Sequence, residues 1–390
     1  MPKGFKASAV SAGIKKNGKK DLSLIVSDVP AAVAGVFTNN RVQAAPVVLD
    51  KQRLACGTCR AIIANSGNAN CATKQQGMAD AISMTRSVSD VLDIDPQHVM
   101  AASTGVIGVP LPVEKILAAL PDLVAALDPD GFADAAEGIM TTDTKAKRVR
   151  RQGEIAGQRF EITAMAKGAG MIRPDMATML CFVCTDIDMD APSLQQALAY
   201  ANARSFNRIT IDGDTSTNDT VLVMANGRSG AAARSPEQKD AFSALLAEAL
   251  EELARMIVAD GEGATKCVEI AVINAHDEKA ARQAADTVAN SSLVKTAFFG
   301  EDANWGRILA ALGRAGVDFD PERVDIWFGN VCMVENGAGC GAEAEAAATQ
   351  VLRAPEFSVF IDLKSGASRA SVLTCDFSVD YVKINADYRS

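Results

Sequence analysis

Thr178 is the residue whose setting reads most directly as chemistry. It lies in Lys167-Gly168-Ala169-Gly170-Met171-Ile172-Arg173-Pro174-Asp175-Met176-Ala177-Thr178-Met179-Leu180, just ahead of the apolar run Cys181-Phe182-Val183-Cys184. The two glycines permit close backbone approach. Pro174 fixes the chain before a presumed buried strand. Ala177 puts little bulk before a threonine near the strand's start. A hydroxyl there could attack the preceding carbonyl and cut its own chain. The freed Thr178 would carry an α-amine with an ordinary pKa of about 7.7 to 8.0. Such an amine is a base near neutral pH and can activate its own hydroxyl. The same residues also read as a plain turn running into a strand, and the local pattern leaves both readings open.

Other chemistries are narrowed by composition. The 390 residues hold only two histidines, His98 and His276, so a three-histidine zinc site is excluded and a Ser-His-Asp triad would have to use one of them. Both read as structural, surface or partly buried. Cys56/Cys59 and Cys181/Cys184 have Cys-x-x-Cys spacing. Along a strand, however, that spacing points the two side chains to opposite faces, which chelates poorly. All nine cysteines are read as structural thiols, with no metal site and no disulfide framework. Gly261-Glu262-Gly263-Ala264-Thr265-Lys266 lacks the spacing of a phosphate loop. Net charge is −9, and the one basic run, Lys145 to Arg151, has no interleaved aromatics. It is read as a solvated hairpin arm, with no nucleic-acid partner.

The elements that must position Thr178 alternate between strand and helix. Leu22–Val26, Ala34–Thr38 and Ala61–Ala64 read as strands. So do Val268–Ile273, Val324–Phe328, Ser358–Leu363 and Val372–Val382. Helical periodicity covers Met78–Leu92, Val113–Leu127, Leu194–Ala203 and Glu237–Ala259, and alanine-rich 342–348 is also helical. The mixture predicts α/β layering. Apolar residues make up 48%, the soluble globular range. No run approaches the ~20 apolar residues that cross a bilayer and none reads as a leader, so the expected location is the cytoplasm.

The stretch around Thr178 resembles the glutamate N-acetyltransferase (ornithine acetyltransferase) family of arginine biosynthesis, whose members share Lys-Gly-(Ser/Ala)-Gly-Met-Ile-x-Pro-x-Met-Ala-Thr-Met-Leu. The likeness extends along the chain. It includes Gly35 to Val42, Asn65 to Asn70, Ser103-Thr104-Gly105-Val106-Ile107-Gly108 and Ile139 to Thr144. It continues through Ser205 to Arg208, Asp212 to Asp219, Asn304-Trp305-Gly306-Arg307 and Asn385 to Ser390. The resemblance implies a self-cleaving threonine-nucleophile enzyme of the α/β class, with a layered αββα-type arrangement of mixed sheets and helices. Cleavage between Ala177 and Thr178 would give an α chain, 1–177, and a β chain, 178–390, sharing one fold and assembling as an α2β2 heterotetramer. Thr178 is then the nucleophile, and Thr104 with Gly105 the oxyanion hole. Substrate contacts fall on Thr142 (Thr141 is adjacent), Lys167, Thr178, Glu262, Asn385 and Ser390. Lys167 would suit the substrate carboxylate, and Glu262 an ammonium. The implied reaction moves acetyl from N2-acetylornithine to glutamate with no cofactor, leaving acetyl-CoA open as a second donor. Lys145-Ala146, Asp175 and Ala303 depart from the family pattern without removing a catalytic group.

Two other readings remain in view. One is an N-terminal-nucleophile amidohydrolase or aminopeptidase, with water as acceptor. The other is a noncatalytic protein that binds an amino-acid metabolite.

Overall fold

The computed structural model describes residues 1–173 and 179–387. The chain divides into two compact units, Met1–Asn207 with Asp214–Ile257 and Arg208–Gly213 with Val258–Ser390.

The first unit is built on an eight-stranded mixed sheet. Its strands are β1 (Phe5–Val10), β2 (Leu22–Phe37), β3 (Thr58–Asn68), β4 (Val99–Val106), β5 (Lys147–Ile155), β6 (Gln158–Lys167), β7 (Leu180–Thr185) and β8 (Thr220–Ala225). Their order is β4-β3-β2-β8-β7-β6-β5, with β1 on β2. Strands β7 and β8 read LCFVCT and TVLVMA and are buried at every position. A strand covered on both faces needs apolar residues throughout, not in alternation. Leu180, Phe182 and Cys184 enter one apolar cluster with Ile62, Met100, Met165 and Leu222. The opposite face of β2, β3 and β4 buries Leu22, Leu24, Ala61, Ile63 and Val99 against Met84, Val88, Ile116, Leu120 and Leu123. Those last five residues sit on two helices, Lys74–Leu92 and Val113–Ala125. Cys184 belongs to the first cluster and Cys181, also fully buried, does not, as the opposite-face reading of their spacing requires.

Leu22–Val26 and Ala34–Thr38 prove to be parts of one 16-residue strand, β2. Its pairing with β3 shifts between Val26 and Ala31, just where Pro30 has no N–H to give the ladder. The basic run becomes β5, the expected hairpin arm with β6. One charged residue departs from the solvated reading, because Lys147 is 2% exposed.

The second unit holds a six-stranded mixed sheet of β9 (Cys267–Ala275), β10 (Asp325–Phe328), β11 (Val331–Glu335), β12 (Ala338–Gly339), β13 (Glu356–Asp362) and β14 (Ser368–Cys375), in the order β12-β11-β10-β13-β9-β14. Only β9 and β13 run parallel. A helix at Glu278–Ala289 lays Ala281, Ala284, Ala285, Val288 and Ala289 into the core beside Val268, Ile270 and Val272. The expected strand Val372–Val382 needs correction. It ends at Cys375, and Val379–Ala386 is helical. Ser378 starts that helix, its side chain accepting from the Tyr381 N–H, which relieves one of the unpaired amides of a first turn. The mixed sheets with their helices agree with the αββα-type class implied by the sequence resemblance.

Candidate active site

Thr104 and Gly105 lie at the C-terminal end of β4, beside Ser66 and Gly67 of β3. Gly105 has φ +133°, and a Cβ there would run into the Gly67 carbonyl carbon and come within 2.5 Å of Asn68 N. Backbone meets backbone at this point, so only glycine fits. The turn is tied from two sides. Ser103 Oγ donates to Asn65 Oδ1 at 2.6 Å. Asn218 Nδ2 donates to Ala69 O (2.7 Å) and to Ser103 O (2.8 Å).

Lys167 ends β6 and is buried, as is Thr104. Its Nζ donates to Thr104 Oγ1 at 3.3 Å. Two residues expected to share a site are thus brought together across 63 positions of sequence. Asp143 organises the ground beneath them. Its Oδ1 accepts from Lys147 Nζ (2.7 Å) and Gly168 N (2.7 Å), and its Oδ2 from Thr141 N (3.0 Å). Burial works to raise this carboxyl, but the charges of Lys167 and Lys147 and these hydrogen bonds win and hold it at about 2. Thr142 is half-buried between the anchored Thr141 amide and Asp143.

Ala177 and Thr178 lie outside the described residues, as does Ser390. Met179, next in the chain, is closely held. Its N–H donates to Asp219 Oδ1 at 2.9 Å, and its carbonyl accepts from Thr220 N at 3.1 Å. Leu180 then pairs with Lys167 on one side and Thr220 on the other. Asp219 is fully buried, and among the described residues its Oδ2 has no hydrogen-bond partner. Burial raises its carboxyl well above the ordinary range, against the pull of Met179 N–H and Lys167.

Glu262 and Asn385 meet in the second unit, where Asn385 Nδ2 donates to Glu262 Oε2 at 2.8 Å. Asn385 rides on helix Val379–Ala386. Next to Glu262, Gly263 (φ +68°) packs so closely on this helix that a Cβ would come 2.5 Å from Tyr381 N.

Asp143, Lys147, Asn218 and Asp219 were not singled out from sequence. The signal available was that three of them stand in the quoted motifs Ile139 to Thr144 and Asp212 to Asp219. Among the described residues, no three His, Cys, Asp or Glu side chains cluster as metal ligands. No described helix is long and apolar enough to cross a membrane. His276 is exposed and His98 half-buried. Burial pushes the Cys59 thiol up to about 12 and raises Cys181 and Cys184 as well, so all three are poor nucleophiles.

The profile of the ArgJ family matches residues 6–390. The chain belongs to the ArgJ family. It is therefore an acyltransferase of arginine biosynthesis. The arginine biosynthesis bifunctional protein ArgJ of Geobacter sulfurreducens is 53% identical over 390 residues, covering 100% of this chain and 99% of the relative. Its namesake from Symbiobacterium thermophilum is 52% identical over 393 residues, covering 100% of this chain and 98% of the relative. A crystal structure of the ArgJ bifunctional protein from Bacillus halodurans is 40% identical with a TM-score of 0.50, covering 53% of this chain and 97% of the solved one.

Proposed function

We propose that this ArgJ chain transfers acetyl from N2-acetylornithine to glutamate through acetyl-Thr178. The observation that carries the reading is the buried Lys167 Nζ on Thr104 Oγ1, 3.3 Å apart, beside the Gly105 amide. A hydroxyl that accepts from an ammonium is left free to donate, and more strongly, to a developing oxyanion. Donors of this kind act on charge present only in the transition state, and losing one costs about 3 kcal/mol.

The enzyme first makes its own nucleophile. Thr178 Oγ attacks the Ala177 carbonyl carbon, the Ala177–Thr178 C–N bond breaks, and the nitrogen takes the proton. Water then hydrolyses the ester. In turnover, the Thr178 amine takes the Oγ proton while Oγ attacks the acetyl carbonyl. Thr104 and Gly105 hold the oxyanion. The C–N bond breaks and ornithine leaves with the proton. Glutamate's amine next attacks the acetyl ester, giving N-acetylglutamate and returning a proton to Oγ. Thr142, Lys167, Glu262, Asn385 and Ser390 are the substrate contacts in this reading, Glu262 suiting the side-chain ammonium of the ornithine moiety and Lys167 its carboxylate. No cofactor is required. Acetyl-CoA is the second acetyl donor, which the word bifunctional in the relatives' names supports. The pieces 1–177 and 178–390 assemble as α2β2 in the cytoplasm. The Bacillus halodurans chain supports the division, since nearly all of it matches about the share that 178–390 makes of this chain.

Intact mass spectrometry tests the reading directly. Purified protein should give two fragments parted after Ala177, and Thr178→Ala should stay whole and inactive. Rapid cleavage of that variant would overturn the assignment. Wild-type protein given acetylornithine should form N-acetylglutamate only with glutamate present. Acetate released equally fast without it would make the enzyme an amidohydrolase.

A further inference from the structure

Lys15 comes from a loop that no motif marks. Asp21 ties this loop down, accepting from Ala12 N on Oδ1 (2.6 Å) and from Ile14 N and Lys15 N on Oδ2 (2.6 and 2.8 Å). The Lys15 stem stands over Gly67, where a Cβ would lie 3.2 Å from Lys15 Cγ. Gly67 in turn backs directly onto Gly105. One glycine therefore separates Lys15 from the oxyanion turn. Lys15 is half-buried, and its Nζ donates to the Lys20 carbonyl at 2.8 Å. Among the described residues it has no ion pair.

The two carboxylates whose fields reach Lys15, Asp21 and Asp143, are already engaged by hydrogen bonds. Asp143 is committed to Lys147 and Gly168, and Lys167 to Thr104. A half-buried ammonium with no carboxylate partner costs desolvation energy that an anionic ligand would offset.

We propose that Lys15 binds a carboxylate of the amino-acid substrate beside the Thr104–Gly105 turn. The proposal rests on the acyl-transfer reading above and adds Lys15 to Lys167 as a second cation for an anionic substrate. The field at Lys15 agrees. Burial draws its ammonium down to about 8, against the pull of Asp21 and Asp143, and Lys19 and Lys167 add to the lowering. A bound carboxylate would restore the charge.

Steady-state kinetics of Lys15→Met and Lys15→Arg test the proposal. Losing a charge-assisted contact should raise KM for both glutamate and acetylornithine about 10- to 100-fold. In Lys15→Met, kcat should stay within about threefold and cleavage after Ala177 should keep its rate. Lys15→Arg should recover most of the affinity. Wild-type KM for acetylornithine should also climb as pH passes about 8, a readout that survives even if Lys15→Met fails to fold. An unchanged KM in Lys15→Met, a loss in kcat alone, equal losses in both variants, or a flat KM from pH 7 to 9.5 would overturn it. The two readings fail separately. Wild-type protein that neither cleaves nor transfers acetyl would sink acyl transfer. Calorimetric glutamate binding, equal in wild type and Lys15→Met, would sink Lys15.

Discussion

Asp143 ties together several parts of the described site. It fixes the Thr141 amide, the Gly168 amide and Lys147, and it lies in the field of Lys167. Removing one partner of a buried ion pair leaves the other charge uncompensated, at a cost of about 3 to 5 kcal/mol. Asp143→Asn should therefore destabilise the protein by roughly that amount at pH 7 in urea unfolding. The penalty has a defined pH dependence. A carboxyl at about 2 when folded and near 3.8 when unfolded stabilises the fold above the higher value, and that stability is lost as pH falls through the lower one. The gap between wild type and Asp143→Asn should narrow between about pH 4 and 2. A constant gap across that range would show that packing, not charge, accounts for the loss. Thr104 and Lys167, which the structure brings together, were singled out through the family motifs in which they stand. Asp143 was not, since Gly168 lies 25 positions away and strand or helix periodicity reaches only a few residues. Asp219 was hidden the same way, 40 positions from Met179.

At the level of elements, apolar spacing announced β2, β3, β7, β9, β10, β13 and β14 and the helices at 74–92, 113–125, 191–204 and 236–259, but not β4 or β6, which carry Thr104 and Lys167, and the misread elements have physical causes. Strand β2 looked like two because Pro30 breaks its pairing with β3 but not its extended path. The segment after Cys375 looked like more strand because Phe377, Val379, Tyr381 and Val382 are apolar or aromatic. Capping overrode that pattern. Ser378 accepts from Tyr381 N, and Asp380 sits in the first turn, where a negative charge favours a helix start. This cap has a functional reach, because its eight-residue helix carries Asn385 to Glu262. A helix this short is marginal without its cap. Ser378→Ala should cost about 1 kcal/mol and speed hydrogen exchange of the amides from 379 to 386. KM for acetylornithine should rise severalfold while cleavage after Ala177 keeps its rate. Unchanged exchange in that helix would show that the cap does not hold it.

At the level of the whole molecule, the order of strands decides what self-cleavage can do. Strands β7 and β8 follow Thr178 in the chain, yet in the sheet they lie between β2 and β6, which precede it. Six pairs in register join β8 to β2, and six more join β7 to β6. Both inserted strands are buried at every position. Cutting the chain before Thr178 therefore leaves two pieces woven into one sheet, and neither can leave without breaking ladders on two sides and exposing the apolar faces of β2, β6, β7 and β8. Cleavage can free the Thr178 amine while the ladders keep its surroundings in place, which is what an enzyme that makes its own nucleophile needs. The mature protein should run as a single species in native mass spectrometry and gel filtration, with fragments 1–177 and 178–390 appearing only in denaturant. Fragment 1–177 expressed alone should be insoluble or unfolded, lacking the strands that close its half of the sheet. Fragments that separate in buffer, or a 1–177 fragment that melts cooperatively by itself, would overturn this account.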